Sequence, residues 1–455
     1  MNHTVLLAER YSKFSYDMFT KNALQKAKEC IIDYVGCTCA GLLFDSSKII
    51  YNFTLENHAR GKCTVIGSKE KLAPVGACLV NSSTGHAPEL DDTSMKSGLH
   101  VGVVVIPTAL AIAENLGLGG KDLLTAIIAG YEMSIKVGQA SNPRALLARG
   151  YHPTSLCGMF GAAITASRLM GLSPIQTANA LGIVGSYVAG NLECYSDGSF
   201  TKRLHPGIAS SSGVTAAILA SKNFTGPKSI LEGPRGFFHA YCENPKPETL
   251  HIIDGFEIET ISFKPYSCCR LNQGPIDGIL DICSNHKINY KQIKSIIIEL
   301  TKTYYDIVGQ PADIKFNPKN VVDAQFSAPY SVAIACIEGK AFLEEYSDAA
   351  IQRPDVREFM KNIIVKHDAD LDNDAPGIYP VRVTVLMNNG ERFTKRVEHV
   401  KGDPENPFTR EDIINKFNTL AQESTLSYEK RIKLIEATDN LENIDSINMF
   451  TDLLP

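Results

Sequence analysis

The feature that most narrows the fold is a helical periodicity that persists through the first half of the chain. Between residues 21 and 43, Leu24, Ala27, Ile31, Tyr34 and Val35 recur three and four apart, which lines one face of a helix. Segments 46–59, 121–140, 153–170 and 206–222 repeat the pattern. Prolines mark beginnings. Pro74, Pro153 and Pro174 (behind a capping Ser173) stand where the missing N–H costs nothing. Pro107 lies inside an apolar run, so a helix starting near Val105 keeps it in the first turn. Glycines at 117, 119 and 120 read as a helix stop, since no strand precedes them to make a phosphate cradle. The Ala/Ser/Gly-rich stretch 206–222 lets helices approach closely. Residues 61–67 read as an extended link and 228–231 as a short helix, with no convincing sheet before residue 250.

The pattern changes near residue 255. Residues 258–264 and the β-branched IKSIIIEL at 293–300 read as strands, 363–368 as extended chain, and 275–285 and 321–338 as helices. Segments 380–387 and 392–397 flank Asn389-Gly390, a strong hairpin signal. From 409 the pattern is helical again. The expectation is a mainly α protein with a smaller α+β domain whose sheet is mainly antiparallel. Residues 1–262 form the helical domain, 263–405 the α+β domain, and 406–455 return to pack on the helices.

Bulk properties exclude several classes. A net charge of −5 over 455 residues, with no basic block, argues against nucleic acid as a partner. The longest uncharged apolar run, 101–113, is too short to span a bilayer, which needs about 20 residues. No basic segment followed by an apolar one opens the chain, so no signal peptide is read and a cytoplasmic location is expected. The 12 cysteines lie largely in apolar patterns without a CxxC, and so read as reduced core residues, not zinc ligands. Walker, Rossmann, GxSxG and HExxH signatures are absent.

Chemistry concentrates in four places. HAPELDDTSMKSGLH at 86–100 crowds His86, Glu89, Asp91, Asp92, Thr93, Lys96 and His100 against an apolar segment, as proton transfer needs. A loop ahead of a buried helix would look similar. His152 precedes a helix, either as an anion contact or as a cap. Lys202, Arg203 and His205 lie just ahead of another expected helix start, where carboxylate or phosphate binding competes with a solvated loop. Lys264 and the Cys268-Cys269 pair sit at the break between the two regimes, a common place for a cleft. Adjacent residues in extended chain point opposite ways, so the cysteines read as wall, not as a chelating pair. Tyr330 reads as core on pattern alone.

Six ordered motifs (HAPELDDT…LHVG, GYHPTSLCGMFGAA, TKRLHPGIAS, GPRGF, KPYSCCRLNQGPIDG and FSAPYSVA) resemble the MmgE/PrpD family across nearly the whole chain. That family contains 2-methylcitrate dehydratases, cis-aconitate decarboxylases and an iminodisuccinate epimerase. The resemblance implies a helical domain with an α+β lid, a homodimer, and no metal or organic cofactor. It implies Thr93, His100, His152, Lys202 and Tyr330 as catalytic positions. Glu89, with Asp91 beside it, falls at the family's acidic position, Lys264 at a pocket cation, and Cys269 where a pocket histidine stands. Arg203 joins the carboxylate-binding cations. The expected activity is acid–base lysis of a small di- or tricarboxylate such as 2-methylcitrate or cis-aconitate. The alternatives are an epimerase of an amino-dicarboxylate and a non-catalytic metal-binding protein. Within the 86–100 stretch, His86 and Lys96 read as structural or peripheral.

Overall fold

The computed structural model describes residues 2–374, 379–422 and 424–455. Thirteen helices of ten or more residues occur among them. The first nine are α1 (His3–Ser12), α2 (Lys21–Gly41), α3 (Asp45–Asn57), α4 (Pro74–His86), α5 (Gly102–Leu116), α6 (Gly120–Ala140), α7 (Pro153–Leu169), α8 (Pro174–Val184) and α9 (Thr201–Ser221). They share one hydrophobic core that runs from Leu7 to Phe263. α9 packs against both α4 and α7, and α7 also lies on α5 and α6. Small residues permit this. A Cβ on Gly207 of α9 would fall 2.1 Å from Ser83 Oγ and 2.6 Å from the Leu79 carbonyl oxygen of α4. That close approach brings the first turn of α9 beside the C-terminal end of α4.

After residue 263 a second core forms, from Cys268 to Val400. α10 (Arg270–His286) and α11 (Ala328–Glu338) pack together, and α10 also covers a four-stranded sheet. The first part of the chain holds a two-stranded ribbon, β1 (Arg60–Thr64) with β2 (Lys71–Leu72). The larger sheet comprises β3 (Ile293–Leu300), β4 (Ile363–His367), β5 (Val381–Met387) and β6 (Arg392–Val397), in the order β4-β3-β5-β6. β3 pairs parallel with β4 and antiparallel with β5, and β5 pairs antiparallel with β6 across the Asn389-Gly390 hairpin. α12 (Arg410–Ala421) and α13 (Tyr428–Asp439) then rejoin the first core through Ile413, Phe417 and Leu434. The protein is thus mainly α with a smaller α+β part. No helix among the described residues is long and apolar enough to cross a membrane.

Several local expectations are corrected. α5 begins at Gly102, so Pro107 lies inside it. The carbonyl that Pro107 leaves without a helical donor, that of Val103, accepts from the Ser82 hydroxyl instead. α9 begins at Thr201, which puts Lys202, Arg203 and His205 in the helix and Pro206 in its interior. The expected helix over 321–338 is two, Val321–Gln325 and Ala328–Glu338, because Ser327 caps the second by accepting from the Tyr330 N–H. The strand expected at 258–264 is a 3-10 turn, Glu257–Thr260, followed by one bridge between Ser262 and Thr93. Residues 228–231 form turns, and the link near 61–67 is part of the ribbon.

The tail is locked by a buried charge. Lys416 Nζ donates to Asp33 Oδ1 at 2.6 Å and to the Leu90 carbonyl at 2.7 Å. Lys416→Met strands the Asp33 carboxylate in the core and is expected to cost about 3–5 kcal/mol. A urea-unfolding midpoint equal to that of the wild type would refute this role.

Candidate active site

The 87–101 segment between α4 and α5 is held in shape by Asp92. Its Oδ1 accepts from the Gly102 N–H at 2.8 Å and its Oδ2 from the Tyr131 hydroxyl at 2.5 Å. Burial pushes the Asp92 carboxyl up to about 7 against those two donors. Glu89 adopts a left-handed backbone, φ 56°, a conformation that costs a non-glycine residue energy. Its carboxylate lies between two cations. Lys202 Nζ donates to Oε1, and Lys264 Nζ reaches Oε2 at 3.4 Å and the Glu89 carbonyl at 2.9 Å. Burial alone would raise the Glu89 carboxyl. Lys202 and then Lys264 outweigh it and hold the group well below the usual carboxylate range.

Three histidines surround this ion cluster. His86, the last residue of α4, approaches Asp91 Oδ2 with Nδ1 at 2.8 Å and Lys202 Nζ with Nε2 at 3.0 Å. A carboxylate only accepts and an ammonium only donates, so the His86 proton sits on Nδ1. His100 Nδ1 faces three oxygens, the Asp92 carbonyl at 3.1 Å, Asp91 Oδ2 at 3.3 Å and Thr93 Oγ1 at 3.3 Å. The first two can only accept, so His100 carries its proton on Nδ1 and keeps a lone pair on Nε2. Burial pulls the His100 pKa down to about 3, although Asp91 opposes it. His152 caps α7. Its Nδ1 lies 3.0 Å from His205 Nδ1, and its Nε2 has no protein partner among the described residues. Burial and the nearby Lys202 keep the His152 ring well below the usual histidine range.

A cavity of about 110 Å³ opens onto this cluster at the junction of the two cores. Of the residues expected from sequence, Glu89, Thr93, His100, His152, Lys202 and Cys269 line it. Asp91 and Lys264 are buried beside the lining and act through Glu89, His86 and His100. Two residues lie elsewhere. Arg203 points toward Ser46 Oγ and Gln325 Oε1, both at 3.4 Å, with its guanidinium against Phe44 and Phe200. Consecutive helical residues are about 100° apart, so Lys202 and Arg203 cannot face one cavity. Tyr330 donates its hydroxyl to the Glu345 carbonyl at 2.6 Å inside the second core. His86 stands at the centre of the network, not at its edge, whereas Lys96 is exposed.

The start of α9 at Thr201 also explains His205. It is three residues after Lys202 and therefore shares its face, which makes it the partner of His152. The i, i+3 spacing was legible once the helix start was known. Arg144, Tyr304, Tyr379 and Arg270 line the cavity as well; Arg270 ends the KPYSCCR stretch, and no local motif announces the other three. Three helix N-termini border the cavity: α7 at His152, α9 at Lys202 and α10 at its cap, Cys269. Their free N–H groups and dipoles favour an anion. A metal ion fits poorly. His86, Asp91 and His100 offer ligand atoms within 4.8 Å of one another. Lys202 already donates to His86, and Lys264 lies 3.9 Å from Asp91 Oδ1, so two ammonium groups face the place a cation would take.

A mainly helical body joined to a small α+β unit, with an acid–base cluster walled by helix N-termini at the join, defines the class. The chain belongs to the MmgE/PrpD family: the profile of its N-terminal domain matches residues 5–250 and that of its C-terminal domain residues 266–442. The chain is similar to the cis-aconitate decarboxylase of Aspergillus terreus, 27% identical over 98% of this chain and 93% of that protein. It is 26% identical to the cis-aconitate decarboxylase of Homo sapiens, over 96% and 91% of the two chains. A cis-aconitate decarboxylase-like protein of Aspergillus oryzae is 27% identical over 91% and 89%.

Because His100 and His152 are held neutral in the fold, acid is expected to erode their contribution to stability. The unfolded chain takes up these protons first, near pH 6.5, whereas folded His100 resists down to about 3. Their contribution is therefore complete above pH 6.5 and falls as pH drops, by up to about 1.4 kcal/mol per pH unit for each histidine, while the buried Asp92 and Glu132 carboxyls, raised to about 7 and about 8, work the other way over the same range. The depressed Glu89 and Asp91 carboxyls add a loss in the same direction below about pH 4. In melting curves from pH 7.5 to 4.5, His100→Asn should lose less stability than the wild type as pH falls. An identical pH dependence of the melting temperature in His100→Asn and the wild type would contradict it.

Proposed function

We propose that this chain is an acid–base lyase acting on a small di- or tricarboxylate, with decarboxylation of cis-aconitate as the leading reaction and dehydration of 2-methylcitrate as the second candidate. The observation that carries the proposal is the pairing of two neutral histidines, His100 and His152, with Lys202 in a cavity bordered by three helix N-termini. The similarity to cis-aconitate decarboxylases supports that substrate.

Both reactions move one proton at a carbon next to a carboxylate. In dehydration a base removes that proton and the hydroxyl leaves with a second one as water. In decarboxylation CO2 departs, its bonding pair forms a new double bond, and the pair of the old double bond takes a proton at the far carbon. His100 is equipped for the transfer, since the Asp92 carbonyl accepts from Nδ1, with the Asp91 carboxylate 3.3 Å away, and the Nε2 lone pair is left free. A polyanionic substrate raises the affinity of nearby histidines for protons, so a ring that is neutral in the free protein becomes an acid in the complex. His152 supplies the second ring, with His205 behind it. Lys202 holds the enolate-like charge, and His86 and Glu89 fix its ammonium. On this reading residues 263–405 are the lid and the working unit is a homodimer, measurable by light scattering at twice the chain mass.

Incubation of the pure protein with cis-aconitate, 2-methylcitrate and citrate tests the proposal. Release of CO2 from cis-aconitate, with an unsaturated dicarboxylate of matching mass, is expected. Lys202→Ala, His152→Ala and His100→Asn should each lower kcat by about 10²-fold or more while the fold is retained. Absence of turnover on every carboxylate offered would overturn it.

A further inference from the structure

Charge in the cavity is almost wholly spoken for. Lys202 and Lys264 are matched by Glu89 and Asp91. Arg270, also in the lining, donates from Nη2 to both Asp403 oxygens at 2.5 and 2.7 Å. The catalytic cluster therefore offers no uncompensated full positive charge to a substrate that carries two or three negative ones.

Arg144 is different. It belongs to the short helix Pro143–Ala148 of the first core and lines the same cavity. No carboxylate pairs with it among the described residues, and its Nη2 is buried without an acceptor. Its orientation is nevertheless fixed. Nε donates to the Tyr379 hydroxyl at 2.6 Å, and the guanidinium carbon lies 4.8 Å from the Tyr379 ring centroid. Tyr379 in turn stacks on Tyr304, with centroids 5.3 Å apart and planes 6° from parallel. Both tyrosines line the cavity and belong to the second core's side of the junction. A guanidinium held on one side, with a buried N–H left open, is preorganised for a planar anion.

We propose that Arg144 is the specificity-determining residue of the cavity: it binds a substrate carboxylate remote from the reacting carbon, and so selects substrates that carry one carboxylate more than the reaction itself consumes. This rests on the lyase reading above and adds the residue that sets the substrate class. The tyrosine pair is the support that aims Arg144. Because the Arg144–Tyr379 contact crosses between the two cores, binding at Arg144 also draws on the junction being closed.

The test compares binding of propane-1,2,3-tricarboxylate, an unreactive tricarboxylate, with that of glutarate, an unreactive dicarboxylate, by calorimetry on the full chain. The wild type should prefer the tricarboxylate. Arg144→Gln should weaken tricarboxylate binding about 10- to 100-fold, as expected for loss of one buried charge-assisted contact, and leave glutarate binding within about threefold. On the reacting substrate, KM should rise by a similar factor while kcat stays within about threefold. Arg144→Lys keeps the charge without the planar fork and should fall between the two. Tyr379→Phe, which leaves the guanidinium in place but removes the acceptor for its Nε, should weaken the tricarboxylate about 3- to 10-fold and provides a second test if Arg144→Gln does not fold. Tricarboxylate binding at wild-type strength in Arg144→Gln, or in Tyr379→Phe should it be the variant that folds, overturns this proposal alone. A wild-type protein that binds neither ligand overturns the lyase reading together with it.

Discussion

The structure turns on one buried carboxylate. Glu89 accepts charge-assisted hydrogen bonds from Lys202, at the start of α9, and from Lys264, at the junction with the second core. Neither lysine is tolerable in so dry a place without it. The strained backbone at Glu89 is sustained because these contacts, and the acceptance by its own carbonyl from Lys264, overdetermine its position. Removing Glu89 leaves the Lys202 ammonium buried without a carboxylate, whereas either lysine alone still pairs with Glu89, so the cluster depends on the carboxylate.

From that cluster follows the state of the histidines. Asp91, kept ionised by His86, His100 and Lys264 against the effect of burial, accepts a hydrogen bond from His86 and lies 3.3 Å from His100 Nδ1, which donates to the Asp92 carbonyl. Asp91 thus sets the His86 tautomer, and the Asp92 carbonyl sets that of His100. His86 spends its second nitrogen on Lys202, which makes it a positioning residue, while His100 keeps its own free. The two rings differ in role because of what faces Nε2, not because of their own chemistry. A site assembled in this way is electrically balanced before substrate arrives, and that balance is why Arg144, which forms no ion pair among the described residues, carries meaning in the same wall.

Much of the architecture could be read from the chain. Apolar spacing located α2, α6 and α7 closely, and β-branched content with Asn389-Gly390 gave β3 and the β5–β6 hairpin. The errors have local physical causes. Proline in the sequence reads as a boundary, but Pro107 and Pro206 lie inside helices; the carbonyl freed by Pro107 finds a donor in Ser82 on another helix. That misjudgement carried into the site. With residues 201–205 read as a loop, Lys202 and Arg203 looked like a pair of neighbouring anchors. As helix they diverge by about 100°, and His205 takes the place beside Lys202. Ser327 split an apolar run that otherwise reads as one helix.

The sequence by itself determined the element types, the two composition regimes and the crowding of acids, bases and hydroxyls at 86–100, because those depend on spacing and local chemistry. Tertiary structure alone decided which of these groups share a cavity. His86 is adjacent to Lys202, and Lys264 to Glu89, only because α9 can press against α4 at Gly207 and the chain doubles back at its junction. Arg144, Tyr304 and Tyr379 have no motif, since their roles come from meeting across two cores. Charge compensation in a dry cavity is a property of distances between segments far apart in the chain, and no local pattern encodes it.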